Sequence, residues 1–103
     1  MTTAVALRPA GRSDEPFLRE LYAETRAAEL TATGWSPDQI DAFVCMQFDA
    51  QRADYERRFP NSAHSIVVDG DRAVGRIWID RTPDEIRLLD LAIRDRDRGR
   101  GIG

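Results

Sequence analysis

The residues with the clearest chemical potential stand together at one end of the sequence, Arg98-Gly99-Arg100-Gly101-Ile102-Gly103. Glycines let a backbone turn tightly and set successive N–H donors against an anion with no Cβ in the way. Arg98 and Arg100 add guanidinium groups suited to charge-assisted contacts with phosphate. Together these residues read as a cradle for a diphosphate, and a helix starting behind them would add its N-terminal dipole. The same residues also read as a flexible, solvated Gly/Arg terminus, and the pattern alone does not choose between the two. Three further side chains invite chemistry. Asp90 is an acid inside an apolar run, where burial penalises the charged form; it is a candidate general base or a structural carboxylate paired with an Arg. His64, the one histidine, stands at a strand entrance, as a titrating group or a surface residue. Cys45 reads as a packing residue, with no histidine near it in sequence. No metal site is expected.

The elements that must position these groups follow from periodicity. Val5 to Arg8, with Ala4, is a short strand ended by Pro9 and Gly11. Ser13 and Asp14 offer cap oxygens, and Phe17, Leu18, Leu21 and Tyr22 continue at helical spacing, which predicts a helix from about Asp14 to Arg26. Thr31 to Trp35 reads as a loop. Ser36-Pro37-Asp38-Gln39 is a capping box with proline at the first helical position. Ile40, Phe43, Val44, Phe48 and Tyr55 then mark one face of a second helix that Pro60-Asn61 ends. From His64 the period changes to that of strands. Ser65-Ile66-Val67-Val68 and Ala73 to Asp80 flank the turn Asp69-Gly70-Asp71-Arg72, a hairpin signal. Thr82-Pro83-Asp84 makes another turn before a third strand, Ile86 to Ile93. Its last six residues are nearly continuously apolar, which predicts cover on both faces. The order is β-α-α-β-β-β, an α+β protein with an antiparallel meander and two helices on one face.

Composition narrows the function classes. The chain has 103 residues, 42% of them hydrophobic and 32% charged, which is ordinary for one globular domain. Its net charge of −3 argues against a nucleic-acid-binding module, and the Arg/Gly stretch carries no aromatic residue for base stacking. All fifteen basic residues are arginine. A single cysteine permits no internal disulfide and suits a reducing compartment. No secretory signal and no apolar run long enough to span a bilayer is present, so a cytoplasmic protein with no membrane partner is expected.

Arg98, Gly101 and Gly103 also occupy the defining positions of the pattern Arg/Gln-x-x-Gly-x-Gly/Ala, and a short loop joins that pattern to a buried apolar strand. With the upstream order of strand, helices and meander, the chain resembles the N-terminal part of a GNAT-family (Gcn5-related) N-acetyltransferase. Leu7-Arg8-Pro9-Ala10, Gly34-Trp35-Ser36-Pro37, Ala73-Val74-Gly75-Arg76 and Pro83-Asp84-Glu85-Ile86-Arg87-Leu88 resemble one branch of that family. The resemblance implies the acyl-CoA N-acyltransferase fold over residues 1–103, as a single partial domain. It implies acetyl-CoA as cosubstrate and a small-molecule or peptide amine as acceptor, which attacks the thioester directly. The backbone of Leu91, Ala92 and Ile93 would hold the pantetheine arm, and residues Arg98, Gly99, Arg100, Gly101, Ile102 and Gly103 the pyrophosphate. Asp90 is the catalytic candidate. Glu24, Glu29 and Trp35 fall in the helical region that forms acceptor pockets in the family.

The family continues beyond the position of Gly103 with a helix and further strands. The expectation is therefore a chain with little activity by itself, one sheet face bare, and homo-oligomers formed through that face. The alternative is a non-catalytic interaction or dimerisation module derived from the same fold.

Overall fold

A computed structural model describes residues 5–97 of the chain. Strand β1 spans Val5–Pro9 and a 3₁₀ turn spans Arg12–Asp14. Helices α1 (Glu15–Thr25), α2 (Ala27–Ala32) and α3 (Pro37–Arg58) follow. Strands β2 (Ala63–Asp69), β3 (Arg72–Arg81) and β4 (Ile86–Ile93) complete the sheet, and Asp95–Asp97 forms a last 3₁₀ turn. The strands pair antiparallel in the order β1-β2-β3-β4. The α+β meander expected from the sequence is present, with one correction to the helices. The segment Ala27–Ala32 is a separate α-helix that overlaps the start of the expected Thr31–Trp35 loop, so the described residues hold three α-helices. The chain leaves the helical region at Arg26 (φ −110°, ψ 7°), and α2 restarts from there.

Local signals decide the helix ends. At α3, Ser36 Oγ accepts from the Gln39 N–H at 3.2 Å, and Gln39 Oε1 accepts from the Ser36 N–H at 2.9 Å. This reciprocal cap satisfies two otherwise orphaned donors. Gly34 reaches φ +74° just before it, and Gly70 takes φ +66° in the β2–β3 hairpin, conformations costly for other residues. Asp14 does not cap α1 with its side chain. Its carboxylate instead accepts from the Gly11 N–H at 2.8 Å and takes both Arg8 nitrogens at 2.8 and 2.9 Å. Those contacts hold the buried Asp14 carboxyl below the usual carboxylate range, with the Arg8 guanidinium the larger cause.

The main core lies between the helices and one sheet face. Leu18, Tyr22, Leu30, Val44, Phe48 and Ile66 form it, and Phe48 is fully enclosed. Burying such side chains is the dominant favourable term in folding. The other face carries a small cluster of Val67, Val74 and Ile93, with Ile77 against it. Around that cluster Leu7, Leu88 and Leu91 are 55%, 56% and 44% exposed. The near-continuous apolar run of β4 is thus not covered on both faces by the described residues. Period-2 geometry sends half of it away from the helices.

Candidate functional site

Strand β4 is the element that brings the sequence-predicted groups together. It is irregular at its centre: Trp78 faces Asp90 and Ile79 faces Leu88, so Leu89 is an extra residue. Such a bulge bends the strand and re-aims its side chains. The Tyr55 hydroxyl donates to the Leu89 carbonyl at 3.3 Å, so α3 supports the bulge. Beyond it, β4 runs close to β3. A Cβ placed on Gly75 would lie 2.6 Å from Ile93 Cδ1 and would overlap the Ala92 carbonyl oxygen. Only glycine permits that approach.

The turn after β4 is tied down at three points. The Arg94 N–H donates to the Val74 carbonyl at 2.8 Å. The Asp95 N–H donates to the Glu24 carboxylate of α1. Asp97, fully buried, pairs with Arg72 at the start of β3. The residue that precedes Arg98 is therefore fixed to the sheet. Arg98, Gly99, Arg100, Gly101, Ile102 and Gly103 themselves lie outside the described residues.

Asp90 sits on the helix side of the sheet and forms an ion pair with Arg76. Arg76 is 3% exposed; its Nη2 also donates to Gln51 Oε1 at 2.7 Å, and its guanidinium lies 5.9 Å from the Phe48 ring. Register explains the pair: Arg76 faces Ala92 and Trp78 faces Asp90, which makes Arg76 and Asp90 diagonal neighbours on one face. Arg76 Nη1 is buried with no hydrogen-bond partner among the described residues. These residues line a cleft of about 190 Å³ with Leu21, Tyr22, Thr25, Arg26, Leu91 and Ala92. Asp90, Leu91 and Ala92 therefore meet at one opening, while Ile93 is buried on the opposite face.

His64 lies elsewhere. Its ring stacks on Trp78 at 4.2 Å between centroids, with an interplanar angle of 4°. Its Nε2 is buried without a hydrogen-bond partner among the described residues. Burial, and then the nearby positive charge of Arg76, push its pKa down to about 4, against the weaker opposing pull of Asp90. The imidazole is neutral near pH 7, which corrects the expectation of a usefully titrating or surface histidine. It borders a separate cleft of about 560 Å³ between the start of α1 and the end of α3. Trp35 lies 5.2 Å from Phe43 on the outer side of α3 and does not line the β4 cleft. Cys45 is a free thiol on α3, partly buried. Among the described residues no cluster of three or more metal-ligating side chains occurs, and no helix is long and apolar enough to cross a membrane.

Known structures share this fold. The crystal structure of PaiA N-acetyltransferase from Thermoplasma acidophilum in complex with coenzyme A matches over 96% of this chain, with a TM-score of 0.61 and 14% identity. A protein from Desulfovibrio desulfuricans assigned to the GNAT acetyltransferases matches over 95%, with a TM-score of 0.52 and 17% identity. The fold is that of the GNAT acetyltransferases. This chain spans 64% and 57% of the lengths of those two proteins. No protein-family model and no curated protein matches the sequence.

Within the GNAT fold, sequence reasoning had singled out Asp90 and the β4 backbone but missed their neighbours. Arg76, Gln51, Arg26 and Tyr22 complete the cleft. A charged residue amid the apolar stretch Ala73 to Ile79 was the available signal for Arg76. Its pairing with Asp90 depends on the bulge, which the sequence does not announce.

Proposed function

We propose that this chain carries the N-terminal part of an acetyl-CoA-dependent N-acetyltransferase acting on a primary amine. The observation that carries this reading is the bulged strand β4, which runs past a cleft holding Asp90 and leads into a turn that the Asp97–Arg72 pair fixes to β3. That a protein of this fold was crystallised with coenzyme A supports it.

In this reading the pantetheine arm lies along the backbone of Leu91, Ala92 and Ile93, and Arg98, Gly99, Arg100, Gly101, Ile102 and Gly103 receive the pyrophosphate. The acceptor amine attacks the thioester carbonyl. A C–N bond forms, the C–S bond breaks, and the thiol of coenzyme A leaves with a proton. Asp90, directly or through a water, takes the proton that frees the amine for attack. A β4 N–H donor facing the carbonyl oxygen stabilises the oxyanion, an effect of roughly 3 kcal/mol in comparable sites. Positioning does the rest. The domain is partial in this reading, and the described part alone turns over little.

A second reading, a non-catalytic module that pairs with another copy, draws on the apolar face formed by Leu7, Leu88 and Leu91. Amide-resolved NMR of the isotope-labelled chain with millimolar acetyl-CoA separates the two. Shifts centred on Leu91 to Ile93 and on the Arg98–Gly103 stretch are expected, even for weak binding. A chain that dimerises through Leu7, Leu88 and Leu91 yet shows no shifts with acetyl-CoA belongs to the second reading.

A further inference from the structure

The cleft between α1, α3 and β4 has a charge pattern that selects its occupant. One carboxylate, Asp90, faces two guanidinium groups, Arg76 and Arg26. Asp90 is already engaged by Arg76, so among the residues lining the cleft Arg26 is a second cation without a lining carboxylate of its own. Arg26 stands at the rim, its guanidinium 4.9 Å from the Tyr22 ring centroid, and its nearest acidic partner, Glu29, is 4.0 Å away. Arg76 adds a demand of its own: Nη2 serves both Gln51 and Asp90, whereas buried Nη1 has no acceptor among the described residues. Buried guanidinium groups are ordinarily matched by acceptors, in bidentate fashion where geometry allows. At about 190 Å³ the space is smaller than the clefts that hold drug-sized ligands.

We infer that this cleft takes a small amino-carboxylic acid: its amine beside Asp90, its carboxylate on the Arg26 side with an oxygen shared by Arg76. A polyamine suits it less, since a second cation would meet Arg26 where the described lining of the cleft offers no further carboxylate. The inference rests on the acetyltransferase reading, because it names the class of that reaction's acceptor.

The test is amide-resolved NMR titration of the chain, without acetyl-CoA, by glycine and alanine, by the carboxylate-free amines methylamine and ethylamine, and by 1,4-diaminobutane. Shifts at Gln51, Arg76 and Asp90 are expected with the amino acids, at concentrations at least tenfold lower than with either simple amine. Arg26→Gln, checked for unchanged thermal unfolding, is expected to weaken alanine at least tenfold and to leave ethylamine where it was. Tighter binding of 1,4-diaminobutane than of alanine, or equal alanine binding in the Arg26→Gln chain, overturns the inference. Absence of acetyl-CoA shifts, measured separately, overturns instead the reaction on which it rests.

Discussion

Replacing His64 with phenylalanine should remove a defined part of the pH dependence of folding. In the native chain the imidazole is held neutral, with a pKa of about 4, by burial and by the Arg76 charge. In the unfolded chain it titrates near 6.5. Between these values the unfolded state binds more protons than the native state, so stability falls as the pH is lowered from 6.5 towards 4. Above pH 6.5 the ring is neutral in both states and contributes no slope. The full difference of about 2.5 pH units corresponds to a ceiling of roughly 3 kcal/mol. One side of the ring borders the open 560 Å³ cleft, so we expect about 2 kcal/mol after allowing for solvent screening. Phenylalanine keeps the stack on Trp78 and cannot take a proton. Urea unfolding followed by tryptophan fluorescence at pH 7.5, 6, 5 and 4 measures the difference between the two chains. Glu15, held below the usual carboxylate range by Arg52, loses its contribution at lower pH in both chains and cancels; Asp14, held low chiefly by Arg8, cancels apart from the small His64 contribution to its shift. Equal pH profiles for the native and His64→Phe chains would refute the argument that burial keeps this ring neutral.

Other substitutions probe the elements around the site. Gly75→Ala forces β3 and β4 apart where Ala92 and Ile93 pass, and should cost about 3 kcal/mol in urea unfolding; the Leu91 to Ile93 amides should shift, and an unperturbed β4 would contradict the close approach. Arg8→Ala leaves the buried Asp14 carboxylate with the Gly11 N–H alone, and urea unfolding should show a loss of stability that is recovered in part when Asp14 is also made alanine. Ser36→Ala removes one half of the α3 capping box and should cost about 1 kcal/mol, with amide exchange accelerated in the first turn of α3 and nowhere else.

Much of this protein is decided within short stretches of sequence. Ser36-Pro37-Asp38-Gln39 starts α3 because its own side chains satisfy its own N–H groups, an interaction that needs no partner from elsewhere. The Asp69–Arg72 turn likewise closes the β2–β3 hairpin around the positive φ of Gly70. Period-3.6 and period-2 patterns gave the order of elements apart from α2 and put Asp90 in β4, whereas the interest of Leu91, Ala92 and Ile93 came from the family resemblance. The helix formers Ala27, Ala28, Glu29 and Leu30 already favour helix over loop at Ala27–Ala32, and Leu30 entering the same core cluster as Phe48 fixes that helix in place. What the sequence left open depends on residues far apart in the chain. Asp90 could have been a free acid; the one-residue bulge at Leu89 sets it diagonal to Arg76, and the ion pair follows. His64 reads as an exposed strand entrance until Trp78, fourteen residues away, covers its ring and leaves it neutral. Local hydrogen bonds and periodicity determine where elements begin and end, whereas charge state and the walls of a cleft are set by cross-strand register and packing, which only the tertiary structure supplies.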